Sequence, residues 1–132
     1  MAGSLADVIN YVSKHDNETL WDKLQFELSF AMTNEQKVRA QNVSQSIVLL
    51  SQGIPFLQMG GDFLRSKSLD RNTYDAGDWF NFVDFTKNSN NWNIGLPLDK
   101  GGKTDQDLVS LAFSQYTSVG LTDMEFASNV FN

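Results

Sequence analysis

Between Thr33 and Gly53 the chain carries one strong helical pattern, flanked on both sides by short β-type segments. Thr33 with Gln36 three residues on has the spacing of a capping box. Ala40, Val43, Ile47 and Leu50 recur at helical spacing, and Gly53 stands where a helix would stop. Before the helix, Val8-Ile9-Asn10-Tyr11-Val12 reads as a short buried strand. After it, Ile54-Pro55-Phe56-Leu57 reads as a second, with the proline at the strand start, where its missing N–H can lie outside the ladder. Strand, helix and strand with a tight second connection form a βαβ unit, so the strands should be parallel. The fold class expected is α/β.

The remaining segments are less regular. Leu20 to Met32 is rich in apolar residues (Trp21, Leu24, Phe26, Leu28, Phe30) at a spacing that fits helix and irregular structure equally. Residues 60–103 hold six of the nine glycines, with clustered Asn and Asp and several aromatics. A loop of that length in a compact domain is uncommon unless it is functional. Helical signals return near the end, with capping-box spacings at Thr104/Asp107 and Thr122/Glu125. The second of these helices has barely begun at Asn132, which suggests truncation.

Composition narrows the function classes. At 132 residues the chain has room for one compact domain, and 41% hydrophobic residues allow a core. A net charge of −6 argues against nucleic-acid and anionic-membrane partners. No apolar run approaches the length of a membrane span. The absence of cysteine removes disulfides, thiolate metal sites and a cysteine nucleophile. Met1-Ala2-Gly3-Ser4 is not followed by the pattern of a signal peptide.

Two places carry groups suited to chemistry. His15-Asp16 follows the first strand, at the carboxyl edge where parallel α/β folds build sites. There a carboxylate can stabilise positive charge or orient a sugar hydroxyl, and the imidazole can donate a hydrogen bond. The same pair fits a structural reading, with Asp16 capping a turn and His15 bonding locally. Past the second strand, Leu64-Arg65-Ser66-Lys67-Ser68-Leu69-Asp70-Arg71 and Tyr74-Asp75-Ala76-Gly77-Asp78-Trp79-Phe80-Asn81 alternate charge with aromatics. Aromatic faces stack on sugar C–H groups, while carboxylates and guanidinium groups bind hydroxyls. The alternative is a surface lid held by ion pairs, with Trp79 and Phe80 packed on the core.

In order and at natural spacing, these blocks resemble a known family. Tyr11-Val12-Ser13-Lys14-His15-Asp16-Asn17-Glu18-Thr19-Leu20-Trp21-Asp22 is similar to the barrel strand-seven segment of pullulanases and limit dextrinases. Gly53-Ile54-Pro55-Phe56 resembles strand eight, and Leu64 to Asn81 resembles the loop after it. Asn90-Asn91-Trp92-Asn93-Ile94-Gly95-Leu96-Pro97 continues the likeness, which runs from about residue 7 to about 97 and weakens beyond.

The resemblance implies a partial (β/α)8 barrel of the alpha-amylase superfamily: strand seven, helix seven, strand eight, a long loop and the start of helix eight. Residues 1–132 would then be one fragment of a catalytic barrel, with 1–6 an upstream linker or an appended start. The implied activity is hydrolysis of alpha-1,6 branch linkages in pullulan, amylopectin or limit dextrins with retention of configuration. That chemistry needs a nucleophile and an acid/base carboxyl about 5 Å apart, which in this family come from strands four and five, outside this chain. Asp16 matches the third carboxylate, which supports the oxocarbenium-like transition state. His15 matches the histidine that bonds the sugar at the cleavage subsite, Arg71 a substrate-contacting arginine, and Asp107 a further sugar-binding aspartate. Asp107 also reads as a carboxylate at the first turn of a helix.

Two departures stand out. Gly60-Gly61-Asp62 replaces the family's usual ending in Glu, and Asn72 stands where Asp is common. The partners implied are an alpha-glucan substrate and the remainder of the barrel. No cofactor is expected, with calcium left open, and a bacterial parent would be exported. The alternative function is a non-catalytic carbohydrate-binding or barrel-assembly module.

Overall fold

The computed structural model describes residues 3–97, 106–115 and 119–131. Strand β1 (Ile9–Asn10) is followed by helices α1 (Leu20–Glu27) and α2 (Asn34–Leu50), then strand β2 (Ile54–Pro55). Helices α3 (Asp78–Asn81), α4 (Gln106–Gln115) and α5 (Leu121–Ser128) complete the order, with 3-10 turns at Leu5–Asp7, Gly61–Phe63 and Thr73–Asp75. The chain is thus an α/β unit whose sheet is very small.

The two strands pair in parallel, Ile9 opposite Ile54 and Asn10 opposite Pro55. The ladder bonds run from the Ile54 N–H to Val8 O at 2.8 Å and from the Phe56 N–H to Asn10 O at 2.9 Å. The N–H that Pro55 lacks is not asked for. Gly53 enters β2 at φ +122°, and a Cβ there would meet Val8 O and Asn10 Nδ2 at 2.8 Å. Only glycine permits that close approach of the helix exit to β1.

The helices begin where side chains satisfy their free N–H groups. Thr19 Oγ1 accepts the Asp22 N–H, which settles the ambiguous Leu20 segment as helix through Glu27. At α2 the capping box forms in both directions: the Gln36 N–H donates to Thr33 Oγ1, and the Thr33 N–H donates to Gln36 Oε1. The expected cap at Thr122 falls instead at Gly120, whose N–H donates to the Asp123 carboxylate at 3.0 Å. The helix starts at Leu121, two residues earlier than a cap at Thr122 allows, and Asp123 takes the role expected of Glu125. Thr104 lies outside the described residues.

The core does not sit on the sheet. Trp21, Val38, Leu64, Leu69, Trp92, Val109, Ala112 and Met124 form it, drawn from α1, α2, α4, α5 and the long loop. The face that α2 turns inward is largely polar, with Lys37, Gln41, Asn42 and Gln45 buried beside Val38 and Val48. Lys37 Nζ donates to Gln25 Oε1, and Gln41 Nε2 donates to Gly61 O. Its apolar stripe points the other way: Val43, Ile47 and Leu50 are 60%, 61% and 87% exposed. The helix pattern correctly marked an apolar face, but that face is not the one buried here. The strands, expected buried, are also open, with Ile9, Ile54 and Phe56 all exposed.

Unpaired strand edges next to exposed aliphatic side chains favour association. The isolated chain should therefore behave as an oligomer or a poorly folded species in sedimentation velocity. A monodisperse monomer with a cooperative melt would refute this.

Candidate functional site

The chain leaves β1 at Asn10 and crosses to α1 through residues 11–18, turning at Asn17, whose φ of +59° is one that asparagine tolerates. Three polar side chains meet in this crossing. Lys14 Nζ lies 3.1 Å from Asp16 Oδ2, and His15 Nε2 lies 3.4 Å from Asp16 Oδ1. The hydrogen bond from Lys14, then the charge of His15, hold the Asp16 carboxyl below its ordinary value. Asp16 in turn raises the Lys14 ammonium. Asp16 is therefore an ionised carboxylate facing solvent, with the Lys14 ammonium on one side and the His15 imidazole on the other.

A buried carboxylate on α1 anchors the segment after β2 from beneath. Asp22, on the inner face of α1, has no solvent exposure. Ser66 Oγ donates to its Oδ1 at 2.5 Å, and the Lys67 N–H donates to its Oδ2 at 2.7 Å. Burial, opposed by those hydrogen bonds, pushes its carboxyl up to about 6. Lys67 is buried too, and its Nζ donates to His15 O at 3.3 Å. Burial lowers the Lys67 ammonium, while Asp22 opposes that shift. The loop is held so tightly that Leu64, Ser68 and Leu69 take positive φ values of 65°, 54° and 64°. Such backbone persists only where surrounding bonds over-determine it.

Arg71 leaves this anchored loop toward the crossing from β1. Its Nε lies 3.1 Å from Glu18 Oε1, in a pair whose Glu18 side chain is 9% exposed. A groove of about 310 Å³ runs alongside, lined by Tyr11, Ser13, Asp16, Glu18, Lys23 and Arg71. Asp16 and Arg71, singled out from sequence, thus share one open groove. His15 lines a neighbouring hollow of about 340 Å³ with Phe56, Met59, Arg65 and Asn81. Asp107 sits exposed in the first turn of α4 and lines neither groove. Phe80 packs in the interior as the lid reading required, whereas Trp79 is 63% exposed.

Glu18, Asp22 and Lys67 had no role assigned from sequence. The one local hint was the Thr19/Asp22 spacing, another capping-box interval. Among the described residues no three His, Cys, Asp or Glu side chains cluster as a metal site, and no helix is long and apolar enough to cross a membrane. An anionic carboxylate and a guanidinium opening on one groove can bind vicinal hydroxyls and stabilise a nearby cation.

Comparison with known proteins points one way. No protein-family model matches the chain. It is 50% identical over 124 residues to a pullulanase of Klebsiella pneumoniae and 40% identical over 124 residues to one of Klebsiella aerogenes, in each case 94% of this chain. It is 50% identical over 91 residues to the chloroplastic pullulanase 1 of Arabidopsis thaliana. The apo crystal structure of Klebsiella pneumoniae pullulanase superposes on 96% of the chain with a TM-score of 0.90 at 38% identity. A maltotriose complex of the same enzyme gives 0.86. The chain spans only 11% of the length of those two Klebsiella relatives and 14% of the apo crystal chain.

Proposed function

We propose, from a kinship with pullulanases that covers 94% of its length, that this chain is part of the catalytic (β/α)8 barrel of a starch-debranching glycoside hydrolase. In this reading β1 is strand seven, α2 helix seven and β2 strand eight, followed by the long loop and the start of helix eight. Residues 1–132 form one barrel fragment, and residues 1–6 lead into it. The exposed stripe of α2 and the open edges of the sheet are the surfaces that the remainder of the barrel covers. The nucleophile and the acid/base carboxyl lie on that other polypeptide.

The chain's own contribution is one side of the sugar site. Asp16 supplies negative charge to a glucosyl ring that gains oxocarbenium character as the alpha-1,6 bond breaks with retention. Arg71 binds substrate hydroxyls from across the groove. His15 donates to the sugar from the adjoining hollow. The observation that carries this reading is the shared groove of Asp16 and Arg71, beside the carboxyl end of β1. Asp107, which lines neither hollow, would bind sugar outside them.

The test is reconstitution. Alone, the purified chain should release no reducing ends from pullulan. Mixed with polypeptide that supplies the other six strands, it should restore debranching. Turnover by the chain alone, surviving further purification and abolished in Asp16→Asn, would overturn the proposed division of the site.

One observation favours a second reading, a non-catalytic carbohydrate-binding module. Exposed Trp79 and Phe82 flank a separate hollow of about 400 Å³ with Asp78 and Asn91. Maltooligosaccharide binding that Trp79→Ala removes, with no turnover in the reconstituted barrel, would select it.

A further inference from the structure

Glu18 sits where the mechanism just described assigns it nothing. It follows the His15-Asp16 pair by two residues, yet its side chain is almost wholly covered while Asp16 is 58% exposed. Its carboxylate meets Arg71 at Nε, 3.1 Å away. It also lies near enough to the buried Lys67 ammonium to favour that cation. A carboxylate covered to this degree requires such partners.

What matters is which edge of Arg71 is engaged. A guanidinium is a rigid planar fork with five donors. The nearest approach of the pair is at Nε, on the inner edge of the fork, and the two terminal nitrogens have no further ion-pair partner among the described residues. Arg71 is half exposed and lines the same groove as Asp16.

We propose that Glu18 is the positioning residue for Arg71, holding its guanidinium by the inner edge so that the terminal nitrogens are presented to substrate hydroxyls opposite Asp16. The inference rests on the sugar-site reading above and deepens it. Glu18 itself touches no sugar. Its cover and its pairing make it an orienting group, which lowers the rotamer entropy that Arg71 would lose on binding.

The experiment is a double-mutant cycle in the reconstituted barrel, with wild type, Glu18→Gln, Arg71→Ala and the double variant titrated with maltotriose by calorimetry. Glu18→Gln is expected to weaken maltotriose about 10-fold, the scale of a lost charge-assisted contact. Arg71→Ala is expected to weaken it at least as much, and the double variant no further than Arg71→Ala alone. Unfolding midpoints should stay within about 3 °C of one another, as a small stability change requires. Unchanged affinity in Glu18→Gln, or an equal loss in the Arg71→Ala background, would overturn the proposal.

If wild type binds no maltotriose, the sugar reading has failed by itself. Crystal structures of the wild-type and Glu18→Gln barrels then decide the positioning claim. A displaced Arg71 guanidinium in Glu18→Gln sustains it, and an unmoved one defeats it.

Discussion

Replacing Asp22 by alanine in the reconstituted barrel is expected to lower unfolding free energy at pH 5 by about 3 kcal/mol, since buried donors left without an acceptor cost roughly 1–3 kcal/mol each. The Ser66 hydroxyl and the Lys67 N–H would lose their acceptor in a place that water does not reach. Leu64, Ser68 and Leu69, held in left-handed backbone nearby, would be free to relax. The damage would travel to the site, because Lys67 also bonds His15 O and Arg71 lies four residues further along the anchored loop. A denaturant midpoint within error of wild type would show that the loop is held by something other than this carboxylate.

The Asp22→Asn variant separates charge from shape. In the folded protein the Asp22 carboxyl is raised from its ordinary 3.8 to about 6, chiefly by burial. A folded-state value above the unfolded one means that the native state binds the proton more tightly. The stability it contributes is complete below pH 3.8 and is lost as pH rises through about 6. Two pKa units correspond to about 3 kcal/mol at most. Asparagine does not titrate, so the stability difference between wild type and Asp22→Asn should shrink as pH rises from 4 to 7. Urea titrations at several pH values measure it. A difference constant over that range would mean that Asp22 is not shifted.

How much of this was legible in the sequence depends on distance along the chain. The Thr33 capping box and the strand after Gly53 are local signals and appear in the fold, although α2 ends at Leu50 with Ser51 as its cap, ahead of the glycine. The apolar stripe of α2 was also legible, but not the direction it faces. Periodicity reports which residues share a helix face and says nothing of what lies against it. Here the opposite, largely polar face is buried, with Gln25 and the Gly61 carbonyl accepting from Lys37 and Gln41 and with Val38 and Val48 packed beside them. Asp22 and Glu18 were illegible for a related reason. Each is defined by a partner on the distant loop, and no local pattern announces a buried carboxylate. Asp16 was legible from its place past the first strand and Arg71 from the charged loop, their particular roles only through resemblance to a family, and the fold brings them to one groove. The same resemblance suggested Asp107, which lies in the first turn of α4 and lines neither hollow.

In the reconstituted barrel, Asp16→Asn should reduce kcat on pullulan by about 10²–10³-fold, the usual cost of removing one preorganised electrostatic group from a charged transition state. Asparagine preserves the shape of the side chain and most of its hydrogen-bonding capacity toward hydroxyls, so KM should change far less than kcat. The loss would fall on the step in which the glucosyl ring becomes cationic, where only the negative charge matters. Lys14 and His15 already orient that charge and keep the carboxyl below its ordinary value, so Asp16 stays ionised at pH values below those where a free aspartate would protonate. A variant Asp16→Asn that raised KM while leaving kcat within threefold would assign Asp16 to ground-state sugar binding and remove it from the chemistry.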